Sequence, residues 1–158
     1  MLPGVIERTG NVILGHGSRD FLVLPESTLL TIQNLTWRGA LGFQRWPAGP
    51  LFVPYHDNAD VRMASGEGVV GTTHTERGLT WFEAALAGHL LAADQPAVAF
   101  RMVEVLLGRV EGLESTVPFT VDMGGAAGPV GELGSGTVQV GAGRRALGYG
   151  YGYAGWYE

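Results

Sequence analysis

The chain contains no cysteine and no lysine. Without cysteine there is no disulfide framework, no thiolate zinc site and no cysteine nucleophile. Without lysine there is no Schiff-base chemistry and no P-loop lysine. All ten basic residues are arginine, which fits the coding bias of a GC-rich genome rather than a chemical need. Charged residues are scarce at 16%, against a usual ~25%. The net charge of −5 speaks against a broad electrostatic footprint for nucleic acid. Long uncharged runs are also missing. The most apolar stretch, Leu79 to Leu107, is broken by Glu83, His89, Asp94, Gln95, Pro96, Arg101 and Glu104, so no span of ~18 apolar residues is left to cross a membrane. Met1 to Arg8 has no basic region leading into an apolar run, so it does not read as a secretory signal peptide. The final location is left open; the expectation is synthesis as a soluble cytoplasmic protein, free to join a particle.

What is abundant is glycine. The 26 glycines among 158 residues are more than twice the usual share of ~7%. They follow no every-third-residue period, which excludes collagen. Hydrophobic residues make up 46%, enough for a core, and the length suits a single domain over 1–158. Twelve glycines fall between Gly124 and Gly155, marking 124–158 as a Gly/Tyr-rich C-terminal segment. In an extended conformation Tyr149, Tyr151 and Tyr153 share one face and the glycines the other. With Trp156 and Tyr157 they offer rigid contact area suited to an interface. Packing on the chain's own domain and a mobile tail are the alternatives.

Val12-Ile-Leu, Phe21-Leu-Val-Leu and Thr28 to Gln33 read as short strands separated by Gly/Ser/Asp and Pro/Glu/Ser turns. Residues 34–60 read as loop, with one short strand at Leu51-Phe-Val. Thr80-x-x-Glu83 fits a capping box, and Phe82, Ala85, Leu86, Leu90 and Ala93 fit a helical period. Pro96 suits the first position of a second helix ending near Leu107, with Gly108 as its left-handed cap. Its scant polar face predicts packing on most sides. Thr116 to Asp122 and Thr137 to Val140 read as further strands. The predicted fold is α+β: a mostly antiparallel sheet from N- and C-terminal strands, with a central helical pair over about 81–107 packed on one face.

Gly15-His-Gly-Ser-Arg-Asp20 is the most motif-like stretch. The favoured reading is a tight turn, with glycines supplying unusual backbone angles. The alternative is chemistry: His16 as base or ligand, with Ser18 and Asp20 as partners. No Gly-x-Ser-x-Gly elbow occurs in the chain. Gly10-Asn-Val-x-Leu-Gly-His-Gly-Ser18, Phe21-x-Val-x-Pro25 and Thr28-x-Leu30, all within residues 10–33, together resemble the opening of the adhesin-type Stv domain of bacterial polymorphic toxin systems. That resemblance implies binding rather than catalysis.

His16, His56, Asp57 and His74 supply ligand types for a metal site built without thiolates, but their spacing matches no established ligand pattern. No cofactor is expected. His89, within the apolar periodicity, reads as a core or interface histidine. Trp37, Phe43 and Trp46 alternate with arginines, a composition common in protein–protein interfaces. The predicted function is therefore a non-catalytic structural or binding subunit of an assembly, such as a phage virion or other bacterial particle component or an adhesin-like module. Its partners would be copies of itself or other protein subunits, and not nucleic acid. The alternative is a small His-dependent hydrolase or metal-dependent enzyme centred on His16.

Overall fold

The apolar run at Val12 becomes β1 (Val12–Gly17), which pairs in parallel with β6 (Leu79–Ala84), in register Val12↔Leu79 through Gly17↔Ala84. The computed structural model describes residues 1–56 and 66–121. Asp57, the strand expected at Thr137 to Val140, and the segment 124–158 with Tyr149, Tyr151, Tyr153, Trp156 and Tyr157 lie outside the described residues. The remaining elements are α1 (Leu2–Thr9), α2 (Pro25–Gln33), β2 (Thr36–Trp37), β3 (Ala40–Leu41), β4 (Gly49–Val53), β5 (Gly68–Glu76), α3 (Leu91–Asp94) and α4 (Pro96–Leu106). The main sheet has the order β1-β6-β5-β4, antiparallel except at β1–β6, and β2–β3 forms a separate ribbon.

The sheet has a core on each face. β6 feeds both: Leu79 and Trp81 join Ile6, Leu29, Ile32, Trp37 and Phe43 on one side. Phe82 and Ala84 join Leu51, Val53, Val70, Ala97, Val98 and Val105 on the other. This is the period-2 alternation of a strand. A strand covered on both faces reads as a nearly continuous apolar run, so the helix expected from residue 81 onward is not there. The α+β class stands, but strands at both chain ends with a helical pair over 81–107 do not. Among the described residues the strands are distributed from Val12 to Ala84, and residues 81–84 are the heart of the sheet.

Other local differences have identifiable causes. Thr28 to Gln33 is helix rather than strand, because Pro25 occupies the first turn of α2 with Glu26 beside it. Leu29 and Ile32 then reach the core three residues apart. Phe21 to Leu24 is an exposed turn, since Asp20 takes the N–H groups of Leu22 and Val23. Residues 116–121 form no strand. Arg101 donates to the Val117 carbonyl and Glu104 accepts from the Thr120 N–H, removing groups a strand ladder would need. The Pro96 helix does form, and Gly108 takes φ 68° just after it. It buries Ala97, Val98, Arg101, Glu104 and Val105, one stripe rather than most of its surface.

Candidate active site

A parallel pair of strands ends on the same edge of its sheet, so the segments leaving β1 and β6 meet. Two glycines make the approach possible. A Cβ at Gly15 would strike the Phe82 ring, and one at Gly17 would strike the Ala87 carbonyl. The Ser18 N–H donates to the Ala84 carbonyl at 2.9 Å and the Arg19 N–H to the Ala87 carbonyl at 2.8 Å. The loop after β6 is fastened at further points. The Ser18 hydroxyl accepts from the Leu86 N–H at 3.1 Å, the Gln95 amide donates to the Ala85 carbonyl at 2.9 Å, and Asp94 accepts from the Gly88 N–H at 2.7 Å. Leu86 is held at φ 62°, a costly conformation for a bulky residue that persists only where its surroundings fix it.

This loop delivers His89 to Asp20. His89 Nδ1 lies 3.0 Å from Oδ2 and 3.2 Å from Oδ1 of Asp20. Asp20 is buried, whereas half of the His89 side chain is exposed. The Val23 N–H does most to stabilise the Asp20 carboxylate; burial opposes it, and His89 and the Leu22 N–H add to the Val23 effect. The Asp20 pKa falls to about 2. In the neutral ring, an ionised aspartate facing Nδ1 selects the tautomer with its proton there and its lone pair at Nε2. Nε2 has no hydrogen-bond partner among the described residues. A buried aspartate orienting a histidine whose far nitrogen is open is the base half of a Ser-His-Asp mechanism.

His16, expected to be the centre of any chemistry, stands on the other side of the same carboxylate, with Nδ1 3.7 Å from Asp20 Oδ2 and its ring 5.3 Å from Trp81. Ser18 is spent on the Leu86 N–H. His74 is bonded to Glu76 at 3.1 Å on β5. Burial opposes ionisation of Glu76, but bonds from His74, the Gln44 N–H and Arg77 outweigh it and lower the Glu76 pKa. His56 is buried beside Phe119 with neither ring nitrogen bonded. These histidines do not converge: no group of three His, Cys, Asp or Glu able to hold a metal occurs among the described residues. Of the expected interface aromatics, Trp37 and Phe43 are core residues and Trp46 is exposed. Trp37 is covered by the Arg77 guanidinium at 3.9 Å. His89 is hidden from sequence reasoning because the stretch from the Thr80 capping box to Ala93 reads as one helix; Gly88 beside it is the signal of a break.

The profile of the serine carboxypeptidase family matches residues 1–109. The chain belongs to the serine carboxypeptidase family. It is 50% identical over 115 residues to a carboxypeptidase Y homolog of Arthroderma benhamiae, covering 73% of this chain and 22% of that protein. To the serine-type carboxypeptidase F of Aspergillus niger it is 41% identical, covering 69% and 22%. Its backbone resembles the crystal structure of a prohormone-processing carboxypeptidase from Saccharomyces cerevisiae, with a TM-score of 0.56, 26% identity, and coverage of 69% of this chain and 22% of that one. The chain thus spans about a fifth of the length of these relatives. Membership in a serine carboxypeptidase family overturns the resemblance to the Stv domain and the reading as a non-catalytic virion or adhesin-like subunit. These relatives are fungal rather than bacterial or phage proteins. Serine carboxypeptidases are typically secreted or vacuolar, which also overturns the cytoplasmic expectation. No helix among the described residues is long and apolar enough to cross a membrane.

Proposed function

We propose that this chain carries the base and its orienting carboxylate for a serine carboxypeptidase reaction, the hydrolysis of a C-terminal peptide bond by acyl transfer. The observation that carries the reading is the His89 Nδ1–Asp20 bond at 3.0 Å with Nε2 open. His89 Nε2 takes the proton from a serine hydroxyl as its oxygen attacks the scissile carbonyl. It then returns that proton to the departing amine, and water completes the cycle by the same route. Asp20 stays ionised throughout, holding the ring and stabilising the imidazolium. Ser18 is not that serine, because its oxygen accepts the Leu86 N–H and makes no bond to His89.

The test is hydrolysis of an N-blocked dipeptide by the protein. His89→Gln should lower kcat by roughly 10³-fold or more with the fold intact, while Ser18→Ala should lower it less than tenfold. Full activity in His89→Gln, or abolition by Ser18→Ala in a folded protein, would refute this assignment.

A further inference from the structure

α2 is capped by Asn34, and β2 begins two residues later at Thr36. Asn34-Leu-Thr36 is the one Asn-x-Ser/Thr triplet in the chain, and its middle residue is not proline. That triplet is the acceptor sequence for an N-linked oligosaccharide on the surface of a secreted protein. Asn34 and Thr36 are both exposed, while Ile32 before them and Trp37 after them are core residues. The turn is therefore anchored on both sides and holds the acceptor amide and the hydroxyl at the surface.

The bond that Asn34 already makes is compatible with attachment. Nδ2 donates to the Leu30 carbonyl at 2.8 Å and satisfies a carbonyl in the last turn of α2. A side-chain amide nitrogen carries two hydrogens. A sugar replaces one of them, and the other keeps the Leu30 bond, so the helix end stays capped.

The surface beside Asn34 is apolar. Leu30 is 64% exposed and Trp46 71% exposed. Both line, with Gln33, one hollow between α2 and β6. Leu30 lies four residues before Asn34, on the same side of the helix. Large apolar side chains exposed together mark an interaction surface. The C–H face of a pyranose makes dispersion contacts with leucine and indole carbon, while its hydroxyls stay in water.

We propose that Asn34 carries an N-linked oligosaccharide whose first sugar lies against Leu30 and Trp46. In the attachment step Nδ2 bonds to the anomeric carbon of a polyprenyl-diphosphate-linked oligosaccharide. The carbon–oxygen bond to the diphosphate breaks, Nδ2 gives up one proton, and the polyprenyl diphosphate departs. Nothing is oxidised or reduced. The glycan then supplies a bulky, soluble cover for this apolar face. His89 and Asp20 take no part, so the inference stands apart from the hydrolytic reading. It depends on a secretory route, and serine carboxypeptidases are typically secreted or vacuolar.

The protein is purified from the cells that naturally produce it and digested with trypsin, which cuts after Arg19 and Arg38 and frees the peptide 20–38. Mass spectrometry should find this peptide carrying N-acetylhexosamine and hexose. Peptide N-glycosidase in heavy-oxygen water should turn Asn34 into a labelled aspartate. Asn34→Gln and Thr36→Ala, made in the same cells, should each lose the sugar, and Thr36→Ser should keep it. An unmodified Asn34 would overturn the attachment. The contact is read by acrylamide quenching of tryptophan fluorescence. Endoglycosidase H, which leaves the first sugar in place, should not change the quenching. Absence of that sugar in Asn34→Gln should raise it by roughly 1.2-fold or more, Trp46 being one of four tryptophans. In a Trp46→Phe background the two forms should be quenched alike. Circular dichroism checks folding, and Thr36→Ala, which leaves the Leu30 bond intact, serves if Asn34→Gln does not fold. Equal quenching with and without the first sugar in folded protein would overturn the contact with Trp46.

Discussion

His89 and Asp20 are 69 residues apart in the chain and 3.0 Å apart in space, joined through Nδ1 and Oδ2. The parallel pairing of β1 with β6 produces that contact. Both strands end on one edge of the sheet, the place where open sheets with parallel strands commonly present their functional loops. The backbone bonds from Ser18 and Arg19 to Ala84 and Ala87 then hold the two loops to each other.

Asp20→Asn should lower kcat of the proposed hydrolysis by roughly 10³–10⁴-fold, because the amide no longer selects the reactive tautomer of His89. The pH dependence of stability should change as well. The folded pKa of Asp20, about 2, lies below its ordinary value of 3.8. Its stabilising contribution is therefore complete above about pH 3.8 and lost as pH falls through about 2. Urea midpoints measured between pH 2 and pH 5 should show a shallower acid decline in Asp20→Asn than in the unaltered protein. Identical slopes would contradict the assignment.

Gly17→Ala should destabilise the protein by about 1–3 kcal/mol, since the new methyl meets the Ala87 carbonyl rather than a flexible side chain. The displaced loop carries His89 two residues later, so kcat should fall along with the melting temperature. A variant with unchanged thermal unfolding and activity would show that the loop yields freely.

Arg101 and Glu104 are both buried and joined at 3.0 Å, and Glu104 also accepts from the N–H and hydroxyl of Thr120. Burial pulls the Arg101 pKa down and Glu104 opposes that fall. Glu104→Ala leaves a buried guanidinium without its counter-charge and should cost about 3–5 kcal/mol in denaturant unfolding. Arg101→Met with Glu104→Leu should recover much of that loss, because it removes both desolvated charges together. A single variant as stable as the unaltered protein would place the pair's energetic role in doubt.

Several features were legible from short stretches of sequence because their causes are local. Val12 to Leu14 reads as a strand from three apolar β-formers. The helix from Pro96 reads from a proline suited to a first turn and a glycine suited to the cap. The Gly15 to Asp20 turn stands out by composition, and one of its candidate residues, Asp20, lies 3.0 Å from His89. β6 misleads because its residues are buried on both sides: Thr80-x-x-Glu83 imitates a capping box, yet Phe82 and Trp81 point to opposite cores. α2 misleads in the reverse direction, its β-branched residues overruled by the proline start and by the core contacts of Leu29 and Ile32.

Composition alone excluded thiolate and lysine chemistry from these residues, since these depend on which residues are present. The order of residues marked the turn at Gly15 to Asp20, since glycine and aspartate act on their own backbone neighbourhood. Which histidine Asp20 serves was decided only by tertiary structure. His16 is four residues from Asp20 and His89 sixty-nine, yet His89 makes the shorter contact. The physical reason is that pairing in a parallel sheet is non-local. The register of β1 against β6, made possible by glycines beneath Phe82 and Ala87, brings the distant loop to the carboxylate, and no periodicity along the chain encodes that meeting.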